Sequence, residues 1–553
     1  VIDPDRIKPV NPRSIMSSLR RLAGEHKLFA GALAAGAVLR LLAILGYPGA
    51  LWFAGDSYVY LGAALRPQPN LSKSTGYSFF LRLLLPFHSL TLVATVQHLL
   101  GLAVGVLIYV LLRRNGVSKT WSAVATLPVL LDGYIIEDEH LIMAESLFTF
   151  LLLVAITLLL WKPRGSWWVA VIAGLLAGYA AVVRTEGAVM LALLPLFLLV
   201  RGRAWRTLRG WLIAIVFAVA ALVPVGAYAS WFHQRTGHYG MTLSTGFYLW
   251  GRVSSFADCA RINPSGNEAK VCPAEPIAHR TPPGNFVWHA PEVHAVRVNG
   301  KIHGSLYMWN TGGPVTYANN TLLTSFAIHA VEAQPLDYGK TVFFNTMMSF
   351  GFPRVAYPGA GTTYFYSFHL HYVTAKYNLL PPDNPNHEWI HGGTAYQDWL
   401  SYGHQAPGVV HKIFAAPILV YQRVVFTYGP LLAVILLAGL GGVLSVTAAR
   451  RRGADPGSWR RPARALRSVQ LSSVRLHWRP RGTSMLPWVT AVALLVVPIA
   501  VADFDYRYLL PAIPFACLAA GLAFAPRRAG AAHSPVTDQS VASGATSGVP
   551  TSP

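Results

Sequence analysis

Acids and arginines gather at a few points in a chain that otherwise avoids charge. Asp56 stands in the run Gly55-Asp56-Ser57-Tyr58-Val59-Tyr60. Glu137, Asp138, Glu139 and His140 are consecutive, and Glu145 follows in Met143-Ala144-Glu145-Ser146. Arg184 and Glu186 share an Arg-Thr-Glu-Gly turn, and Asp503, Asp505 and Arg507 close the set. A carboxylate at a water–lipid boundary can take a proton from an alcohol. The planar fork of arginine matches a phosphate. Several acids together could hold a divalent cation through oxygen. Each residue also has a plainer reading. Asp56 could cap the helix that follows it, and Glu139 could answer a helix dipole. His140 could be a loop histidine, and the acidic run a polar turn. Arg184 and Arg507 could snorkel, or pair with Glu186 and Asp505. Arg40 lies deeper in an apolar run, so it needs an acid or a ligand anion as partner inside the bundle.

These groups must be positioned by membrane helices. The chain has 553 residues, of which 53% are hydrophobic and only 12% charged, with a formal charge of +22. Soluble domains carry about 25% charged residues. Ten apolar stretches could each span a bilayer: 28–46, 89–112, 120–136, 143–161, 167–183, 186–200, 211–231, 427–447, 486–502 and 508–525. The fold class expected is an α-helical polytopic membrane protein. Every ionisable cluster above lies within a few residues of a span end on one side. The basic loops fall on the other side, including 448–485 with ten arginines and one acid. By the positive-inside rule that second side is the cytoplasm, with both termini on it. The charge excess is therefore a topology signal and requires no nucleic acid.

Four regions follow: 1–231 as a transmembrane core, 232–415 as an extracytoplasmic domain, 416–525 as C-terminal helices with the basic loop, and 526–553 as a disordered tail. An apolar stretch near 409–425 reads as an interfacial helix. Cys259 and Cys272 both fall in the extracytoplasmic region, where a disulfide is permitted, while Cys517 reads as a buried thiol in the last span. The richness in Arg, Ala and Gly suggests a GC-rich bacterial genome.

In order and sidedness the pieces resemble the GT-C superfamily of integral membrane glycosyltransferases, in particular those using polyprenyl-phosphate sugars, as dolichyl-phosphate-mannose transferases do. The resemblance rests on Asp-Ser-x-x-Tyr at 56–60, Glu-His-x-x-Met-x-Glu-x-Leu-Phe at 139–148, Gly-Leu-Leu-Ala-Gly at 174–178, Arg-Thr-Glu-Gly at 184–187, and Arg-Tyr-Leu-Leu-Pro-Ala-Ile-Pro at 507–514. Many members have proline where Thr185 stands here. The resemblance implies that Asp56 is the catalytic base, that one of Glu137, Asp138 and Glu139, with Asp138 and Glu139 taken as the catalytic candidates, is the acid of the second outer loop, and that Arg184 and Arg507 hold the donor phosphate. It places Arg40, Tyr60, His140, Glu145, Glu186, Asp505 and Tyr508 around the substrates. It implies a polyprenyl-phosphate-linked sugar as donor, a cell-envelope glycan, lipid or protein as acceptor, and an outward-facing site in the cell membrane. A divalent metal is left open as a cofactor. The rival reading is a lipid-linked substrate transporter or flippase. Such proteins place sites near the bilayer midplane within repeated halves; this chain shows no repeat and few ionisable residues at mid-depth.

Overall fold

The computed structural model describes residues 24–161, 166–289, 295–298, 301–304, 316–371 except 353, 395–404, 409–444, 446–447, 477–478 and 482–526. Most of the basic loop 448–485 and all but the first residue of the tail 526–553 lie outside these residues. Among the described residues, five helices are long and apolar enough to cross a bilayer: Lys27–Gly46, Leu90–Arg114, Leu208–Thr236, Thr483–Val501 and Tyr506–Ala523. Lys412–Val424 and Gly429–Val443 make a further apolar pair, bent by 61° at their junction. The expected interfacial helix is the first member of that pair. Glu145–Trp161, Trp167–Val183 and Thr185–Val200 are shorter apolar helices.

Nine of the ten expected spans coincide with these helices, and the stretch 120–136 departs from a single span. It breaks into Lys119–Val124, Leu127–Leu131 and Gly133–Asp138. The break follows from its sequence. Pro128 sits in the first turn of the middle piece, where the missing N–H costs nothing. Asp132 then caps the last piece, its Oδ1 accepting from Tyr134 N at 2.8 Å. Its Oδ2 accepts from Thr427 N at 2.6 Å, so the cap also holds the bend between the Lys412–Val424 and Gly429–Val443 helices.

The Gly-Leu-Leu-Ala-Gly run has a packing role. Gly174 and Gly178 face the Leu208–Thr236 helix. A Cβ on Gly174 would lie 2.5 Å from Phe217 O, and one on Gly178 would lie 2.0 Å from Ala221 O. Small residues four apart let two apolar helices approach backbone to backbone. The following turn, which carries Arg184, is thereby fixed against the bundle.

The 232–415 region has a core of its own. Phe247, Trp250, Phe256, Phe286, Leu323 and Phe326 form it, and a Cys259–Cys272 disulfide lies beside it with Cα atoms 6.2 Å apart. The later part of the region behaves differently. Tyr366, Phe368, Trp399 and Tyr402 are buried in the membrane-helix core. Asp398, fully buried, takes both oxygens to Arg66 Nη2 at 2.6 and 2.7 Å. Cys517 is buried as a free thiol.

Replacing Gly178 with valine should lower stability by about 1–3 kcal/mol, the usual cost of overpacking. The check is a thermal unfolding midpoint in detergent. An unchanged midpoint would mean that the close crossing does not hold these helices.

Candidate active site

Asp56 lies in the first turn of the Ala54–Leu65 helix. Phe53, not Asp56, occupies the cap position. The carboxylate therefore sits inside the first turn, where the helix dipole favours an anion. The chain before it is stitched to the acidic segment. Leu51 N donates to His140 O at 2.7 Å, and Ile142 N donates to Leu51 O at 2.9 Å. Ser57 Oγ accepts from Phe53 N at 2.7 Å and donates to Ile142 O at 3.0 Å. The position of Asp56 thus depends on residues 140–142, far along the chain.

Two cations hold the carboxylate. Arg507 Nη1 donates to Asp56 Oδ2 at 2.7 Å, and Lys73 Nζ lies 3.0 Å from Oδ1. Burial pushes the Asp56 carboxyl up. Lys73 and Arg507 together pull it further down, and it ends below the usual carboxylate range. Burial lowers the Lys73 ammonium, but Asp56 more than restores it, so Lys73 is held above its ordinary value. Asp505 supports the arginine from below, with Oδ2 3.3 Å from Arg507 Nε and Oδ1 accepting from Arg507 N at 3.1 Å. Tyr366 OH donates to the same Asp505. Burial holds the Asp505 carboxyl above its ordinary value despite Arg507.

A second arginine stands beside this group. Arg184 pairs with Glu145, and its Nη2 reaches Glu186 Oε1 at 3.0 Å. Tyr508 joins the two arginines, with its ring centroid 5.1 Å from the Arg507 guanidinium and 5.8 Å from that of Arg184. Phe53 lies on another side of Arg507 at 4.7 Å. Tyr60 is buried edge-on to Tyr77, within the fields of Lys73, Asp56, Glu145 and Arg184.

The acidic run does not converge. Successive residues on a helix turn point about 100° apart, and these three take different partners. Glu137 is buried, and neither carboxylate oxygen has a hydrogen-bond partner among the described residues. Asp138 lies beside Ser146, whose hydroxyl is 3.5 Å from its Oδ2. Burial and Glu145 push its carboxyl well above the usual range. Glu139 turns to Arg40, which donates from Nε and Nη2 at 2.7 Å each. The anion sought for Arg40 is therefore Glu139. Asp138, Glu139 and Glu145 line a small cleft between helices, and Asp56 and Arg507 stand outside its lining. Among the described residues, no group of three or more His, Cys, Asp or Glu side chains is arranged to hold a metal ion.

His140 also turns inward. Its ring meets His98 at 2.9 Å and the carbonyls of Tyr47 and Gly49 at 3.0 and 2.9 Å. Arg40, Glu139, His98 and His140 thus form a buried cluster behind the first loop. Asp503 belongs to neither cluster. It accepts from Gly284 N and Tyr357 OH, at 2.7 and 2.8 Å, and pins the 232–415 region to the helices.

Sequence reasoning missed Lys73, His98 and Tyr366. Lys73 sits in the polar run Asn70-Leu71-Ser72-Lys73-Ser74-Thr75, which reads as an ordinary loop. Asn70 Oδ1 accepts from Ser72 N and Lys73 N, at 2.8 and 3.1 Å, and so forms the turn that aims the lysine. An asparagine two residues before a serine is the one local signal for such a turn.

Residues 81–239 match the dolichyl-phosphate-mannose-protein mannosyltransferase family. No curated protein matches the chain. The matched stretch contains the acidic segment, the Gly-Leu-Leu-Ala-Gly run and Arg184. Asp56, Lys73 and Arg507 lie outside it.

Because Lys73 is a main depressor of the Asp56 carboxyl, Lys73→Met should move its titration to higher pH. The pH profile of kcat/KM reports free-enzyme groups. The wild type should show no acidic limb from Asp56 between pH 5 and 7, and the variant should have its acidic limb shifted upward. Identical profiles would contradict the pairing. The matched family is one of the GT-C glycosyltransferases, and the several long apolar helices agree with a polytopic membrane glycosyltransferase of that kind.

Proposed function

We propose that the chain transfers a sugar from a polyprenyl-phosphate donor to an acceptor hydroxyl, with inversion, at the outer face of the membrane. The observation that carries this reading is the contact of Asp56 with Lys73 and Arg507. It joins a proton acceptor to two phosphate-binding cations at one end of the helix bundle. The matched family is named for enzymes that move mannose from dolichyl phosphate to protein. By that likeness the donor is a lipid-phosphate hexose, and a hydroxyl side chain is one acceptor that fits.

The resting site cannot begin the reaction. Asp56, clamped by two cations, is a weak base. A donor phosphate competes for Lys73 and Arg507, and as they turn to it the carboxylate becomes more basic. The acceptor hydroxyl then attacks the anomeric carbon from the face opposite the phosphate. Its proton passes to Asp56, the new C–O bond forms, and the bond to the phosphate oxygen breaks. The electron pair leaves with that oxygen, raising the phosphate charge where Lys73, Arg507 and Arg184 stand. Cations aimed at developing charge are strongest where water is excluded. Asp505 and Tyr508 hold Arg507, and Glu145 and Glu186 hold Arg184. The base thus stays inactive until a phosphate is present.

The sidedness rests on charge. Along the sequence the arginine-rich loops alternate with the loops that carry the site residues, which supports cytoplasmic termini and an outward site.

Asp56→Asn should lower transfer by about 10²–10⁴-fold, the usual contribution of a positioned base. The assay is sugar transfer from a radiolabelled polyprenyl-phosphate hexose by purified protein. Full activity in this variant would remove Asp56 from the mechanism.

A further inference from the structure

The buried cluster behind the first loop has more hydrogen bonds to fill than two neutral histidines can supply. His140 Nε2 lies 3.0 Å from Tyr47 O and 2.9 Å from Gly49 O. Carbonyl oxygens only accept, so this nitrogen carries a hydrogen. His140 Nδ1 lies 2.9 Å from His98 Nε2, and one of the two must donate. His98 Nδ1 lies 2.9 Å from Glu139 Oε2. Arg40 grips that carboxylate with two nitrogens at 2.7 Å, which favours its ionised, accepting form. Three links need three ring hydrogens. Two neutral imidazoles bring two.

We infer that the His98–His140 pair holds one proton beyond two neutral rings, a buried cation set against Glu139, and that this charge fixes the loop bearing Asp56. Without that proton, either two ring nitrogens or a ring nitrogen and a carboxylate oxygen would face each other lone pair to lone pair at 2.9 Å. The charged groups that reach His98 are Glu139 and Arg40. Gln97 offers no substitute donor, since its amide nitrogen is spent on Glu139 O and Leu141 O at 3.0 and 2.7 Å. Of the two rings it is His98 that touches the carboxylate, Nδ1 to Glu139 Oε2, so the extra proton belongs there. Burial favours a neutral ring; the carboxylate at 2.9 Å and the count of links oppose it. The seat is built for Glu139. A Cβ on Gly101 would lie 1.7 Å from Glu139 Oε1, so any larger residue there would expel the carboxylate.

His98 and His140 are positioning residues. His140 clamps the carbonyls of Tyr47 and Gly49 and shares its own carbonyl with Leu51 N, the strand of chain that leads to Asp56. A ring that flipped its tautomer would release those carbonyls, and the extra proton prevents the flip.

The test is nitrogen NMR of the full chain in lipid nanodiscs, with only histidine labelled. The measurement is made at pH 9, about 2.5 units above the ordinary imidazole value. Surface histidines are then neutral. One histidine should still show both ring nitrogens protonated, and that signal should vanish in His98→Gln. A spectrum with every histidine neutral overturns the inference, and the wild type alone decides it if the variant fails to fold. A second readout rests on the proposed transfer reaction. His98→Gln should lower kcat about ten- to a hundredfold through misplacement of the loop, with donor KM within about twofold. An unchanged kcat overturns the positioning role. A wild type with no transferase activity strikes the proposed function and leaves the spectral result standing.

Discussion

A buried carboxylate does not stay charged without cations, and the site is organised by how Asp56 obtains them. Arg507 comes from 451 positions away and Lys73 from the neighbouring loop. The contact therefore joins the first loop to the last helix. Asp505 and Tyr366 hold the arginine from behind, and Tyr366 brings the 232–415 region into the same structure. Removing one cation would leave a buried charge half compensated, which is costly where desolvation is severe.

Behind this cluster lies another with the opposite task. Arg40, Glu139, His98 and His140 are buried, and His140 bonds the carbonyls of Tyr47 and Gly49 at the start of the first loop. The division is physical. Groups that meet a charged ligand must be able to exchange partners. Groups that hold a loop must have every donor and acceptor matched, because an unpaired buried polar atom is expensive. Arg40 and Arg507 look alike in the sequence, as single arginines near apolar runs. They differ in how fully their guanidinium groups are used.

Much of the fold was legible because an apolar run of membrane length has few other uses. Nine of the ten expected stretches are helices. The stretch 120–136 was misread as one span because Pro128 and Asp132 can both be tolerated in a span. The cap of Asp132 onto Thr427 becomes visible only when the distant bend is in place. At the site, Asp56, Arg184, Glu145, Glu186, Asp505, Arg507 and Tyr508 do come together. The acidic run was harder to read, since three neighbouring carboxylates suggest a shared site in one dimension and diverge on a helix. Lys73 was missed because an isolated lysine in a polar loop has no pattern, and its meaning comes from the Asn70 turn and from Asp56 across the loop.

The claim on which the mechanism depends is that Asp56 and the donor phosphate compete for the same cations. The direct test is the affinity of wild type and Asp56→Asn for polyprenyl phosphate, measured in nanodiscs by titration calorimetry. Competition predicts that the asparagine variant binds the lipid phosphate more tightly than the wild type, because Lys73 and Arg507 no longer have to leave a carboxylate. Weaker binding by the variant would contradict the account.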